Sequence, residues 1–349
     1  MSIALYNVLI RYVKYIHEVA NMEEKQVHEM QLQQVEQAVA AVKGKKFNAV
    51  YMIACGGSKA SFGPAQYIFD VESDLPAYVL TANEFNYRKP KQFTKDSLVL
   101  TCSHSGNTPE TVQATQTAKD LGCVTICLSN KIDSELWQAA THGVSYLWGD
   151  CNPAYGKSAM LYRLVFGILN ALNPNEKYER AIRNIDEMET LVPANRKKFA
   201  ERALEWGEKY KRSPIIYTMA SGEYYSEAYS FAICLLMEMQ WIHSSSIHSG
   251  EFFHGPFEIT DYDVPFLVFM SRGKTRYLDE RALSFAKKYS KEVTVVDTQE
   301  FDMGGIQEDL QSYFAAILLT PVTRQYADAI ADFRGHPLSV RRYMWRMEY

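Results

Sequence analysis

The sequence has few cysteines and no cysteine motif. Its six cysteines among 349 residues form no Cys-x-x-Cys pair. Cys55, Cys102, Cys127 and Cys234 lie within apolar runs. Zinc sites and disulfide frameworks both need cysteines at set spacings, so neither is expected. Reduced, buried thiols are typical of a cytoplasmic protein, and we expect that location.

Long apolar runs and an excess of positive charge are also missing. No apolar run approaches the roughly 18 residues of a membrane-spanning helix, and the first residues lack a secretory signal pattern. The chain has 37 Lys and Arg against 41 Asp and Glu, a formal charge of -4. Nucleic-acid binding needs a basic face. We therefore expect neither a nucleic-acid partner nor a membrane partner.

Several chemical fingerprints are absent as well. Neither a Walker A loop nor Gly-x-Gly-x-x-Gly stands between a strand and a helix, so nucleotide binding has no support. His-Glu-x-x-His and Gly-x-Ser-x-Gly are also missing, which argues against a zinc protease and against a serine hydrolase. A metal and a cofactor are both unexpected.

What the sequence does contain is a repeated alternation of strands and helices. Short β-branched runs separated by helical stretches predict parallel sheets covered by helices on both faces. The predicted strands are 48–54, 77–81, 97–102, 124–129, 144–148, 214–220, 264–270 and 292–297. The run Tyr51-Met52-Ile53-Ala54-Cys55-Gly56 is similar to Tyr217-Thr218-Met219-Ala220-Ser221-Gly222, which favours two domains of similar build.

These patterns predict an α/β fold with two parallel-sheet, three-layer α/β/α domains in tandem. An N-terminal helical extension occupies residues 1–44, where apolar residues recur at helical spacing. The first domain covers 45–176, and a charged helical connector covers 177–212. The second domain and a C-terminal tail take 213–349.

A hydroxyl-rich loop follows the predicted strand 97–102. Thr108 suits the N-cap of the next helix and Pro109 its first position. The free N–H groups of such a helix start can bind an anion, and Ser103, Ser105 and Thr108 would add hydroxyl donors. The residue types alone leave two interpretations equal, a simple helix cap and a phosphate-binding loop.

A second turn of the same kind follows the predicted strand 48–54. It contains Gly57, which permits close approach of backbone to a ligand, and Ser58, which could add a hydroxyl. Taken alone, this turn is more typical of an ordinary connection between a strand and a helix.

The segment 238–256 holds the highest density of titratable residues. Glu238 interrupts an apolar helical run, where burial would raise its pKa and suit it to general acid–base work. An exposed helix position is the alternative. His254, beside Gly255 in a predicted loop, is the more plausible working histidine, while His243 and His248 suit supporting or structural roles equally well.

Together these motifs resemble the SIS (sugar isomerase) family. Cys-Gly-x-Ser at 55–58, Ser-x-Ser-Gly-x-Thr at 103–108 and Gly-Glu-x-x-His-Gly-Pro at 250–256 match that family and the isomerase half of glucosamine-6-phosphate synthase. The similarity is greater to SIS-type deglycases of phosphorylated Amadori compounds, the 6-phosphofructose-aspartate deglycase among them. It extends through 237–259 and the ending 336–345.

The resemblance implies a catalytic pair, Glu238 and His254, in a homodimer whose active sites lie at the subunit interface. The expected substrate-binding residues are Gly57, Ser58, Ser103, His104, Ser105, Thr108, His243, Glu251, His336 and Tyr343. Tyr343 stands where the synthase has a sugar-binding lysine, which argues against glucosamine synthesis. An amino-acid carboxylate on the substrate could meet His336, Arg341 or Arg342, although surface salt bridges are the more ordinary role for each arginine.

The expected function is therefore that of a deglycase, which hydrolyses a fructosamine 6-phosphate to an aldose 6-phosphate and a free amine through an enaminol and an imine. The substrate's own nitrogen stabilises the enaminol, so no cofactor is required. An aldose–ketose isomerase or amino-sugar phosphate deaminase is the alternative within enzymes. A non-catalytic phosphosugar sensor is the alternative outside them.

Overall fold

The computed structural model describes residues 24–348, and its first sheet contains five parallel strands. They are β1 (Ala49–Ala54), β2 (Ala77–Thr81), β3 (Ser97–Cys102), β4 (Val124–Ser129) and β5 (His142–Ser145). The order is β2-β1-β3-β4-β5. Every residue of β1 and β3 is buried, which explains why both strands are apolar over their whole length.

Helices cover this sheet on both sides. Residues 24–40 form a helix, α1, and Gln34 on it accepts hydrogen bonds of 2.8 Å from the backbone N–H and the hydroxyl of Ser145. The following helices are α2 (Gly56–Ala60), α3 (Phe62–Glu72), α4 (Ala82–Arg88), α5 (Pro109–Asp120), α6 (Glu135–Ala139) and α7 (Lys157–Leu172). Residues 1–23 of the predicted helical extension lie outside the described residues.

The second sheet has four parallel strands in the order β7-β6-β8-β9. They are β6 (Ile215–Ala220), β7 (His243–His248), β8 (Phe266–Met270) and β9 (Val293–Asp297). Strand β7 was not predicted. It lies at the sheet edge and consists mainly of serine and histidine, with one buried residue, Ile247. Its sequence therefore carries little of the apolar alternation that identifies a strand.

The helices of the second half are α8 (Glu176–Asn184), α9 (Met188–Tyr210), α10 (Tyr225–Ser230), a π-helix (Phe231–Met239), α11 (Arg276–Tyr289) and α12 (Glu308–Arg334). Two of them, α9 and α12, are longer than any described helix of the first half. Single 3-10 turns lie at Pro153–Tyr155, Ile185–Glu187, Gly222–Tyr224, Pro256–Ile259 and Thr298–Glu300. The predicted connector is therefore two helices separated by a 3-10 turn. Helices α9 and α12 pack so closely that a Cβ on Gly207 would lie 2.6 Å from the backbone of Ala329.

The two sheets repeat one topology, which confirms the predicted fold class. In each half the first strand lies second in the sheet and runs into a left-handed glycine, Gly56 (φ 53°) or Gly222 (φ 55°). The largest core cluster includes side chains from both halves, such as Met52, Phe166 and Phe269. The exact domain boundaries stay a prediction. Among the described helices, none combines the length and apolar character needed to cross a bilayer.

Candidate active site

The two hydroxyl-bearing turns of the first half lie side by side. Strands β1 and β3 are hydrogen-bonded neighbours, and Ala54 stands opposite Cys102 at their carboxyl ends. The turns that follow these residues therefore leave the same edge of the sheet. The Ser58 side chain lies close enough to the Cys102 thiol to influence its pKa, so the two turns are near each other. The structure thus brings Gly57 and Ser58 next to the loop 103–108.

The loop 103–108 is held in shape by its own hydrogen bonds. The Ser103 and Thr108 hydroxyls lie 2.8 Å apart, and the Ser103 hydroxyl also accepts a bond of 3.1 Å from the Gly106 N–H. Gly106 has a φ of 73°, and a Cβ there would collide with Ser134 at 2.0 Å. Only glycine fits this position, because it needs a left-handed backbone and has no room for a side chain.

This geometry bears on the two interpretations of the loop. Thr108 is the N-cap of α5, as predicted, but its side chain accepts no capping hydrogen bond and contacts Ser103 instead. The first turn of α5 therefore offers its N–H groups and its positive dipole end to an external anion. Ser105 is exposed beside it. The arrangement favours a phosphate-binding loop over a simple cap.

A lysine that sequence reasoning missed adds positive charge here. Lys157 is the first residue of α7, directly after Gly156. Burial, together with the charges of Lys157 and Lys131, lowers the pKa of His104. The His104 ring contacts the Tyr146 hydroxyl at 3.2 Å. The signal in the sequence was a lysine at a helix start after a glycine, which is too common to identify a site.

Glu238 lies near the end of the π-helix, four residues after Cys234. The Cys234 sulfur is 3.6 Å from the position of a Cβ on Gly57, so the π-helix contacts the turn 56–58 about one helical turn before Glu238. Burial raises the pKa of Glu238, as predicted, and the nearby Arg341 opposes that shift. Its carboxylate pairs with Arg341 at 2.9 Å. The Arg341 side chain is only 9% exposed, so this is no surface salt bridge.

The three histidines of the segment 238–256 are spread along and beyond β7. His243 is exposed at the start of the strand. His248, at its end, accepts a bond of 3.1 Å from the Gly250 N–H. His254 and Glu251 lie in the exposed turn after β7. No contact joins His254 to Glu238 within residues 24–348.

A cavity of about 470 Å³ opens beside Glu238. Its lining residues are Met237, Glu238, Trp241, Ile242, His243, Arg341, Arg342, Tyr343 and Met344. The structure therefore brings His243 and Tyr343 together with Glu238. His336 lies next to this group, with its ring 4.5 Å from the Trp241 ring. Over residues 24–348, no three His, Cys, Asp or Glu side chains gather in a way that could hold a metal ion.

A parallel-sheet domain with a hydroxyl-rich loop at the carboxyl ends of its central strands is typical of α/β domains that bind phosphorylated ligands. Residues 45–149 match the SIS domain. The chain belongs to the SIS-domain family.

Several relatives match over nearly the whole chain. Fructosamine deglycase FrlB of Bacillus subtilis is 47% identical over 313 residues, which are 88% of this chain and 94% of that protein. Fructoselysine 6-phosphate deglycase of Escherichia coli is 27% identical over 86% of each chain. A solved structure from Bacillus subtilis, described as a phosphosugar isomerase, is 45% identical, with a TM-score of 0.89 over 91% of this chain and 97% of that one.

Proposed function

We propose that the protein is a deglycase that hydrolyses the fructosamine 6-phosphate of an amino acid to an aldose 6-phosphate and the free amino acid. The observation that carries the proposal is the half-buried Glu238 carboxylate, on a helix whose Cys234 contacts the glycine turn 56–58 beside the loop 103–108. The relatives named as deglycases, one of them with a 6-phosphate substrate in its name, support it.

The phosphate is the anchor of this proposed substrate. The hydroxyls of Ser58, Ser105 and Thr108 and the N–H groups at the start of α5 bind its oxygens, and Ser103 holds the loop in shape. Gly57, His104 and Lys157 border the same place. Binding energy from the phosphate, which does not react, then orients the sugar carbons.

Glu238 moves the protons at those carbons. As a carboxylate it removes a proton from C1 of the open-chain ketose, which gives an enaminol, and it returns a proton to C2, which gives an imine. Water then adds to the imine carbon, and the C–N bond breaks to release the amine. A well-placed general base contributes roughly 10²–10⁴-fold to such a step. Burial suits Glu238 to the task because it raises the pKa of the carboxyl.

His254 opens the sugar ring by moving a proton between the ring oxygen and the C2 hydroxyl. Its exposure and its lack of contact with Glu238 within the described chain support a homodimer in which the partner subunit supplies it. His243 and Tyr343 line the cavity beside Glu238, and His336 contacts Trp241 of that lining. Glu251 stays a predicted substrate contact. The six unpaired thiols suit a cytoplasmic location.

Product analysis tests the proposal. The purified protein is incubated with the Amadori 6-phosphates of several amino acids, and aldose 6-phosphate and free amino acid are measured. Release of both in equal amounts is expected. Interconversion of hexose 6-phosphates without amine release would instead indicate an isomerase, and ammonia release from an amino-sugar phosphate a deaminase. Binding without any turnover would indicate a sensor.

A further inference from the structure

The cavity beside Glu238 contains an arginine that nothing in the described chain neutralises. Its lining holds one carboxylate, Glu238, and two guanidinium groups, Arg341 and Arg342. Glu238 is already paired with Arg341 at 2.9 Å. The cavity therefore carries one positive charge in excess, which favours an anionic ligand group.

Both terminal nitrogens of Arg341 are engaged. Besides Glu238, it donates hydrogen bonds to the carbonyls of Leu338 at 2.6 Å and Val340 at 2.9 Å. Its side chain is almost completely buried. Movement of this arginine to a ligand would leave the Glu238 carboxylate without its partner, which is costly in a buried site.

Arg342 is positioned differently. Its guanidinium lies 4.2 Å from the centre of the Trp241 ring and 6.0 Å from that of Tyr343. Within residues 24–348 it donates no side-chain hydrogen bond and forms no salt bridge. A guanidinium stacked on an aromatic face keeps its N–H edge free, and that edge matches a carboxylate with two parallel hydrogen bonds.

The platform beneath Arg342 is itself strained. Trp241 has a φ of 57°, a left-handed conformation that bulky residues rarely adopt. Its ring contacts both Arg342 and His336. Backbone strain of this kind persists where the surroundings hold it, and it concentrates at ligand sites.

We propose that this cavity binds the amine half of the substrate and that Arg342 binds the carboxylate on it. The inference rests on the proposed function. The π-helix contacts the glycine turn at Cys234, before Glu238, whereas the cavity is lined by Glu238 and by residues after it. A substrate anchored at its phosphate near that turn would therefore direct the C1 amine past Glu238 toward Arg342. Arg342 is then a specificity residue, which distinguishes amine halves that carry a carboxylate from those that do not.

A matched pair of substrates tests this role. The Amadori 6-phosphates of alanine and of ethylamine differ only in the carboxylate. For the wild-type protein, kcat/KM measured by aldose 6-phosphate release should favour the alanine compound by about 10–100-fold, the value of a charged hydrogen bond. Arg342→Gln should remove most of that preference and leave the ethylamine compound within about threefold of wild type. Arg346→Gln, an exposed arginine of the same tail that does not line the cavity, should keep the preference.

Three results would overturn the proposal: no preference in the wild type, an equal loss on both substrates in Arg342→Gln, or an unchanged preference in that variant. Calorimetric binding of the same two compounds separates this failure from that of the proposed function. A carboxylate preference in binding that depends on Arg342, without any aldose 6-phosphate release, would refute the deglycase and retain the Arg342 site.

Discussion

Strands β3 and β8 take the same place in the two sheets, and the chain after each of them differs. We call the loop 103–108 after β3 the open corner, and the cluster of Ser249, Ser271 and Asp279 at the carboxyl end of β8 the filled corner. In the first half, the loop 103–108 directs hydroxyl and N–H groups outward, and Ser105 is exposed. In the second half, the strand ends are closed by the buried carboxylate of Asp279, which accepts hydrogen bonds from the Ser249 hydroxyl at 2.6 Å and the Ser271 N–H at 2.8 Å. One fold position is therefore open in the first half and closed by the chain's own carboxylate in the second.

The residue after the left-handed glycine differs in the same sense. Gly56 is followed by Gly57, so the turn 56–58 beside the open corner carries no side chain at this position. Gly222 is followed by Glu223, which is 1% exposed and accepts a hydrogen bond from Ser312. The similar φ values of the two glycines show that the backbone is preserved while the chemistry changes. The contrast predicts that polar substitutions near the open corner change kcat or KM, and that those at the filled corner change the free energy of unfolding.

Glu238→Gln gives the largest expected effect. We expect kcat to fall by about 10²–10⁴-fold, with little change in stability because the amide oxygen can still accept a bond from Arg341. Steady-state release of aldose 6-phosphate measures it, with Glu205→Gln, an exposed position on α9, as control. Because the base must be ionised and burial raises its pKa, wild-type kcat/KM should fall as the pH drops through a value above 4.5. Near wild-type turnover of the variant would remove Glu238 from the chemistry.

Asp279→Ala should have the opposite outcome. It leaves the Ser249 hydroxyl and the Ser271 N–H buried without an acceptor, so the free energy of unfolding should decrease by about 2–4 kcal/mol. Urea unfolding followed by circular dichroism measures this change. Asp133→Ala, at an exposed loop position, serves as the control and should stay within about 0.5 kcal/mol of wild type. Equal stability of both variants would contradict the filled-corner interpretation.

Ser105→Ala is the mildest test and concerns the open corner directly. Loss of one hydrogen bond from a hydroxyl to the charged phosphate should raise KM by about tenfold and change kcat less. Initial rates over a range of substrate concentrations separate the two constants. Ser245→Ala, at an exposed position of β7, should leave both unchanged. An unaltered KM for Ser105→Ala would count against phosphate binding by this loop.

The sequence predicted the features that depend on neighbouring residues. The strands of the first sheet and the helix start at Thr108 follow from short patterns of apolar and capping residues. The partner of Glu238 could not be found in this way, because Arg341 is 103 positions away and only the folded chain brings the two together. Strand β7 escaped because its pairing with β6, not its composition, makes it a strand. The filled corner escaped for the same reason, since Asp279 and Ser249 meet only in three dimensions.

The π-helix that carries Glu238 implies that the direction of this carboxylate depends on how many residues the helix contains. A π-helix holds more residues per turn than an α-helix, and each residue of an α-helix advances by about 100°. Removal of one residue from Phe231–Met239 would allow the α-helical pitch to return and turn Glu238 away from the loop 103–108. Point substitutions keep the number of residues in the helix and would miss this dependence. A single-residue deletion would reveal it, because Glu238 would change its orientation while its carboxylate is still present.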